Sequence, residues 1–281
     1  MSDKFTAACL QLNSTDVIAE NIATVTELAR AARGQGADLI LTPEVTSIVT
    51  KLRPDVIRST TFSEDEDPAV AAFAALAGEL GVWLLIGSIP IRVGETQVAN
   101  RSFLFDPRGR IVTTYDKIHM FDVDLPNGER YRESRAFAAG CRAVLADLPW
   151  GRLGLSVCYD IRFPHLYRSL AKAGADFLTV PAAFTKVTGE AHWHILLRAR
   201  AIETGCFVFA PAQTGTHVGD GRKTYGHSLI VGPWGEILAD AGTDVGFITA
   251  DIDTALIAQA RGQVPALTHD VDYAVPMAAQ E

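Results

Sequence analysis

An apolar run over residues 153–157 stops at Cys158, inside the stretch Gly151-Arg-Leu-Gly-Leu-Ser-Val-Cys158-Tyr159-Asp160-Ile-Arg162-Phe163-Pro164. Polar residues follow at once, and a helix-like segment spans 163–173. This pattern is a strand-to-helix turn with a thiol at its tip. Such a turn presents its tip residue at the end of a sheet, near the N–H groups of the following helix. A lone cysteine after a strand is more often a buried core residue. What the rest of the chain places beside it decides between the two readings.

Residues 5–12 alternate as a strand. Over 17–33, Val17, Ile18, Ile22, Val25, Leu28 and Ala29 recur at helical spacing, with Asp16 as the expected N-cap. Residues 37–41 form a compact buried strand. It runs into Thr42-Pro43-Glu44, where Pro43 stops the ladder and sets Glu44 at the strand's end. Residues 51–68 read as a surface loop with a short helix, 69–80 as a helix ended by Gly81, and 83–89 as a strand. A hairpin, 99–106 and 110–115 around the turn 107–109, delivers Asp116-Lys117-Ile118-His119. Residues 121–140 read as a long ordered loop, a length that usually carries function.

After the Cys158 turn come a buried strand at 177–184, a helix at 193–203 and a strand at 206–210. A polar Gly-rich loop spans 213–226; strands follow at 227–232, 236–239 and 246–251. The tail from about 261 lacks periodicity and is expected on the surface or on a partner subunit. With no linker, repeat or low-complexity segment, residues 1–281 read as a single domain. The alternation of strands and helices predicts an α/β layered fold with helices outside and sheets covered on both faces. One doubly wound sheet and two packed sheets are both compatible with the pattern.

The chain is 48% hydrophobic and 21% charged, so it can bury a sizeable core. Its net charge of −8, without a basic cluster, argues against nucleic acid or an anionic membrane as partner. The N-terminus has no signal-peptide pattern and no apolar run approaches a membrane span, so a soluble, cytoplasmic protein is expected. Cys9, Cys141, Cys158 and Cys206 are widely spaced, which argues against a zinc site or a disulfide framework.

Glu44, Lys117 and Cys158 each stand at a predicted strand end, the edge where α/β active sites form. The segments around them, Leu41-Thr-Pro-Glu44, Tyr115-Asp-Lys117-Ile-His-Met-Phe-Asp122 and Gly154-Leu-Ser-Val-Cys158-Tyr-Asp-Ile-Arg-Phe-Pro164, resemble the three signature blocks of the carbon–nitrogen hydrolase (nitrilase) superfamily. The similarity runs from Phe5 to Asp253, with the blocks in family order. Glu133-Ser134, Thr188-Gly-Glu-Ala-His-Trp193, Leu197-Arg-Ala-Arg-Ala-Ile-Glu203, Tyr225-Gly-His-Ser228 and Gly232-Pro-Trp-Gly235 resemble its amidase branch.

The resemblance implies a four-layer α-β-β-α sandwich and a Glu-Lys-Cys triad: Glu44 as base, Lys117 as the lysine, Cys158 as nucleophile, and Glu133 as a second glutamate beside them. Independently, a thiol with pKa near ~8.5 is mostly protonated at neutral pH and needs a base or a cation to attack an amide. Glu44 can take its proton; Lys117 and the N–H of Tyr159 can stabilise the oxyanion. No metal or organic cofactor is required. Tyr159, Arg162, Phe184, His192 and Tyr225 are the candidate substrate-binding residues. Arg162 either binds a substrate carboxylate or pairs with Asp160. Arg198, Arg200 and Glu203 read as a structural ion-pair face. Two histidines in Glu190-Ala-His192-Trp-His194 lack an evident third metal ligand. Cys9, Cys141 and Cys206 read as inert.

The segments 121–126, 212–215 and 225–228 resemble those of amidases acting on small 2-oxo acid amides. The implied substrate is the 2-oxo analogue of glutathione, cleaved at its γ-amide, or alternatively 2-oxoglutaramate or 2-oxosuccinamate. A non-catalytic scaffold on the same fold is the alternative from another class. A homodimer or larger homo-oligomer is implied by the same resemblance.

Overall fold

The computed structural model describes residues 4–272 and 274. β1 (Lys4–Gln11) opens the chain, followed by α1 (Ile18–Gly34), β2 (Leu39–Leu41), α2 (Pro54–Ser59) and α3 (Pro68–Leu80). β3 (Trp83–Arg92), β4 (Val98–Phe105) and β5 (Ile111–Asp116) form a meander, and β6 (Asp122–Asp124) pairs with β7 (Arg130–Arg132) in a separate ribbon. Next come β8 (Leu145–Leu148), β9 (Gly151–Gly154), α4 (Pro164–Lys172), β10 (Phe177–Thr179), α5 (Lys186–Thr204) and β11 (Phe207–Ala210). A second ribbon, β12 (Thr214–Thr216) with β13 (Lys223–Tyr225), precedes β14 (Leu229–Val231), β15 (Ile237–Asp240), β16 (Gly246–Asp253) and α6 (Ala255–Gln263).

Two six-stranded sheets result, ordered β16-β1-β2-β3-β4-β5 and β15-β14-β11-β10-β9-β8. Each is parallel at its centre, through β1, β2 and β3 in one and β9, β10 and β11 in the other. Parallel neighbours need crossover connections, which the helices supply. Side-chain alternation then sorts the layers. Phe5, Ala7 and Cys9 of β1 join a core with Leu153, Phe177 and Phe209 of the second sheet. Ala8 and Leu10, pointing the other way, pack with Val25 and Ala29 of α1 and with Phe73 and Leu76 of α3. α4 and α5 cover the outer face of the second sheet through Leu166, Leu170, Trp193 and Leu197. The molecule is therefore an α-β-β-α sandwich, two packed sheets rather than one. Each fully buried Leu, Ile or Phe is worth about 1.5–3 kcal/mol, so the two-sided burial of these sheets is the main source of stability.

Several local expectations are corrected. Asp16 does not cap α1: the N-cap position is held by Val17, which makes no side-chain cap. Instead Thr15 Oγ1 accepts from the Val17 N–H at 3.1 Å, and Asn21, one turn into the helix, bonds both Thr15 N–H (2.8 Å) and Thr15 C=O (2.9 Å). α5 starts at Lys186, before the expected 193. Gly189 and the polar residues around it hide its first turns from a periodicity reading; a Cβ at Gly189 would lie 2.3 Å from the Tyr225 ring. The strand expected over 177–184 ends at Thr179, because Pro181 has no N–H for a ladder. β8 and α6 were not foreseen, and the loop regions 121–140 and 213–226 each contain a ribbon. The tail lies over α4 as far as it is described: Arg168 donates to Ala266 C=O (3.0 Å) and to Asp270 Oδ2 (2.8 Å). The remainder of that expectation falls outside the described residues. Among the described residues no helix is long and apolar enough to cross a membrane.

At Gly87 in β3 the loops that follow β2 and β10 crowd against the strand. A Cβ there would stand 2.1 Å from Thr42 O, 2.4 Å from Pro43 O and 2.5 Å from Pro181 Cβ. Gly87→Ala must force these chains apart, and an overpacked site of this kind costs about 1–3 kcal/mol. The expected result is a lower urea midpoint at unchanged m-value; an unaltered midpoint would refute the crowding.

Candidate active site

Three strand ends carry the site. β2 runs out at Leu41, and Glu44 follows on a turn in which Val45 has φ 51° and donates its N–H to Ser88 Oγ (2.8 Å). Lys117 directly follows β5, its N–H on Asn100 O at 3.0 Å. Cys158 follows β9 after an extended 155–157 segment and adopts φ 49°. A left-handed φ is strained for a residue with a Cβ. The Cys158 N–H bond to Pro181 O (2.9 Å) helps hold it there. Glu44, Lys117, Glu133 and Cys158 are all buried.

Lys117 Nζ lies 2.8 Å from Glu44 Oε1 and 2.9 and 2.8 Å from the two oxygens of Glu133. Glu44 Oε2 accepts from the Ala183 N–H at 2.8 Å, and Glu133 Oε2 from the Phe121 N–H at 2.7 Å. Asn100 Nδ2 donates to both carboxylates, at 2.9 and 3.2 Å. Cys158 is close enough to Glu44 and Lys117 for its protonation to depend on theirs. Burial by itself would raise the Glu44 pKa, but the Lys117 charge and these hydrogen bonds outweigh it and hold the carboxyl below its ordinary range. Burial would lower Lys117, yet the charges of Glu133 and Glu44 carry it well above its usual value. Burial, then the Glu44 charge, pushes the Cys158 thiol well up, against the opposing pull of Lys117. At rest the cluster is thus a carboxylate, an ammonium and a neutral thiol, with a base in place for the thiol proton.

These groups open onto a cavity walled by Phe121, Tyr131, Phe137, Tyr159 and Phe184 among others. Of the expected substrate-binding residues, Tyr159 and Phe184 line it; Arg162, His192 and Tyr225 do not. Arg162 stands behind the wall, its guanidinium 5.8 Å from the Tyr159 ring and 5.3 Å from that of Phe184, with both Nη atoms 3.3 Å from His192 Nδ1. It does not pair with Asp160. That carboxylate is fully buried and accepts from Tyr115 OH (2.7 Å), Val157 N–H (2.8 Å) and His119 N–H (3.0 Å), with His119 Nδ1 at 2.7 Å. Asp160 therefore ties the Cys158 turn to the Lys117 strand end. Asn100, Asp160 and Arg222, which also lines the cavity, were missed as site residues. A polar Asn inside the apolar strand β4 was the available signal for the first.

Arg200 pairs with Glu203 (2.8 Å) as expected, whereas Arg198 bonds Gly235 O (2.7 Å). His194, without an evident third ligand partner in sequence, meets His227 and Asp240. Asp240 lies 3.1 Å from His194 Nε2 and 2.9 Å from His227 Nδ1, outside the cavity lining. Among the described residues this is the one group whose donor atoms could share a metal ion. The hydrogen bonds of Asp240 to His194 and His227 already account for this side-chain grouping.

Two measurements test this geometry. Asp160→Asn leaves at least one of the buried donors without an acceptor, at a cost of about 1–3 kcal/mol, so its thermal midpoint should drop clearly; an unchanged midpoint would show that the staple contributes nothing. For Glu44 the folded pKa lies below its ordinary 4.5. Its contribution is therefore fully present above that value and lost as pH falls through the depressed one. Lys117, raised above its ordinary 10.5, contributes fully below that value and loses its share as pH rises through the higher one. The stability gap between wild type and Glu44→Gln should then be flat from about pH 5 to 8 and narrow below about pH 4.5. A gap that widens on acidification contradicts an ionised Glu44.

Residues 6–262 match the family model described as carbon-nitrogen hydrolase. The chain is 42% identical over 271 residues to the deaminated glutathione amidase of Synechocystis sp., covering 95% of this chain and 98% of that one. It is 40% identical over 266 residues to the deaminated glutathione amidase of Yersinia enterocolitica, covering 94% and 92%. The crystal structure of the C. elegans NitFhit protein superposes with a TM-score of 0.86 at 33% identity, over 95% of this chain and 65% of that longer one. The chain belongs to the carbon–nitrogen hydrolase family, whose enzymes break carbon–nitrogen bonds by adding water.

Proposed function

We propose that the chain hydrolyses deaminated glutathione, the 2-oxo analogue of glutathione, to 2-oxoglutarate and cysteinylglycine. The observation that carries the reading is the convergence of Glu44, Lys117 and Cys158 in one cavity, with Lys117 Nζ 2.8 Å from Glu44 Oε1. In this reading the Cys158 sulfur attacks the amide carbonyl as its proton passes to Glu44. Lys117 and the Tyr159 N–H hold the oxyanion; a donor of this kind is worth about 3 kcal/mol of barrier. Glu44 then protonates the leaving nitrogen, the C–N bond breaks, and a thioester remains. Water gives its proton to Glu44 and attacks the thioester; the sulfur leaves, regains the proton and the acid is released. Glu133 fixes Lys117 and with it the oxyanion donor. Tyr159 and Phe184 hold the acyl portion, with Arg162 and His192 backing them from outside the cavity; Tyr225 supports the same wall through its N–H on Phe184 O (2.9 Å). No cofactor enters these steps. Self-association into a homodimer or larger assembly belongs to the same proposal, as does a cytoplasmic setting, which suits the four unpaired cysteines.

Cys158→Ala should fold with an unchanged circular dichroism spectrum and show no turnover of deaminated glutathione. Retained turnover would refute the thioester route. In the wild type, kcat/KM should be higher for deaminated glutathione than for 2-oxoglutaramate, measured by release of cysteinylglycine and of ammonia; the reverse order would reassign the substrate.

A further inference from the structure

We infer that Arg222 forms a carboxylate subsite at the mouth of the cavity, and that its ligand is the terminal carboxylate of the leaving dipeptide. The inference rests on the amidase reading above and adds to it the group that recognises the leaving side. Arg222 lies in the 217–222 loop between β12 and β13 and lines the same cavity as Cys158. Its side chain is 13% exposed, one Nη sits 3.0 Å from Asp220 Oδ2, and its Nε is buried with no hydrogen-bond partner among the described residues. A buried guanidinium donor without an acceptor is an incomplete site, since buried donors are normally satisfied. The planar fork of arginine matches a carboxylate.

The loop is built to hold this donor still. His217, fully buried, bonds Ser14 O (2.9 Å) and Thr224 Oγ1 (2.8 Å), and its N–H donates to Arg222 O (2.9 Å). Arg222 N–H in turn donates to Asp220 Oδ1 at 2.9 Å. Gly219 presses on the segment that follows Glu44: a Cβ there would lie 2.1 Å from Val49 O. The guanidinium is thus fixed before any ligand arrives.

Charge and position select the ligand. The cavity wall carries two cations, Lys117 and Arg222. Lys117 is engaged by both glutamates, so Arg222 is the one with an open donor. Arg222 shares the cavity lining with Tyr131, whose hydroxyl bonds the exposed Glu129 (3.0 Å) and which also borders a surface groove with Arg130, Arg132 and Arg135. That places Arg222 toward the opening, where the longer, leaving part of a γ-linked amide must extend. The substrate has two carboxylates, one on each side of the scissile bond, and this location favours the outer one.

The test compares deaminated glutathione with its C-terminal carboxamide, which lacks only that charge. Full-length wild type, Arg222→Gln and Arg222→Lys are assayed on both. In the wild type the acid should be preferred in kcat/KM by about tenfold to a hundredfold, the range of a hydrogen bond between charged groups. Arg222→Gln should bring the acid-to-amide ratio close to one, chiefly through a higher KM for the acid, and Arg222→Lys should restore part of it. A ratio that survives in Arg222→Gln overturns the inference: Arg222 is then structural or reads the 2-oxo acid end. A wild type blind to the carboxamide overturns it as well, while leaving turnover of deaminated glutathione intact. Absence of that turnover in the wild type sinks the parent reading and this inference with it.

Discussion

Everything at the site depends on one ammonium held between two carboxylates out of reach of bulk water. Burying three charges is costly, and removing one partner from such a group typically costs about 3–5 kcal/mol. Lys117, Glu44 and Glu133 therefore fix each other's positions. Burial, with the Glu44 charge added to it, keeps the neighbouring thiol protonated until a reaction begins. A cysteine in an electropositive site would be a standing thiolate, exposed to oxidation. Here the sulfur becomes nucleophilic only as its proton moves.

The fold brings these groups together from three strand ends in two different sheets. Neither sheet could build the cluster alone: Glu44 and Lys117 come from one, Cys158 from the other. The alignment between them is set by backbone contacts at close range. Ala183 N–H reaches from the second sheet to Glu44, Asp160 reaches back to Tyr115 and His119, and Gly87 leaves room for both loops. An error of an ångström in sheet packing would pass straight into the distance between base and thiol.

Much of this was legible in the sequence. Apolar runs ending in Glu44, Lys117 and Cys158 marked the strand ends, and Gly81 marked the close of α3, where it takes φ 62°. The sandwich itself came from resemblance, since buried strands in one doubly wound sheet and in two packed sheets have the same pattern. What escaped the reading was pairing across long sequence distances. Asp160 beside Arg162 suggested a local ion pair, but its side-chain partners, Tyr115 and His119, are some forty residues away. Asn100 looked like an ordinary strand residue until β4 placed it against two glutamates from elsewhere. Asp16 had the right chemistry for a cap and lost to Thr15 and Asn21, whose bonds to one another only the folded turn reveals.

One pairing also bears on how such a chain is made. β1, the first strand, has β2 on one side and β16 on the other, in register from Lys4 opposite Asp253 to Gln11 opposite Gly246. During synthesis the first sheet can assemble its inner strands early. Its outer flank then stays an unpaired edge while the whole 117–245 segment is still to be added, and exposed edges invite association with other chains. Closure of that flank waits for the ribosome to release the last strand, so completion of the native state is a late, non-local event rather than a domain-by-domain one.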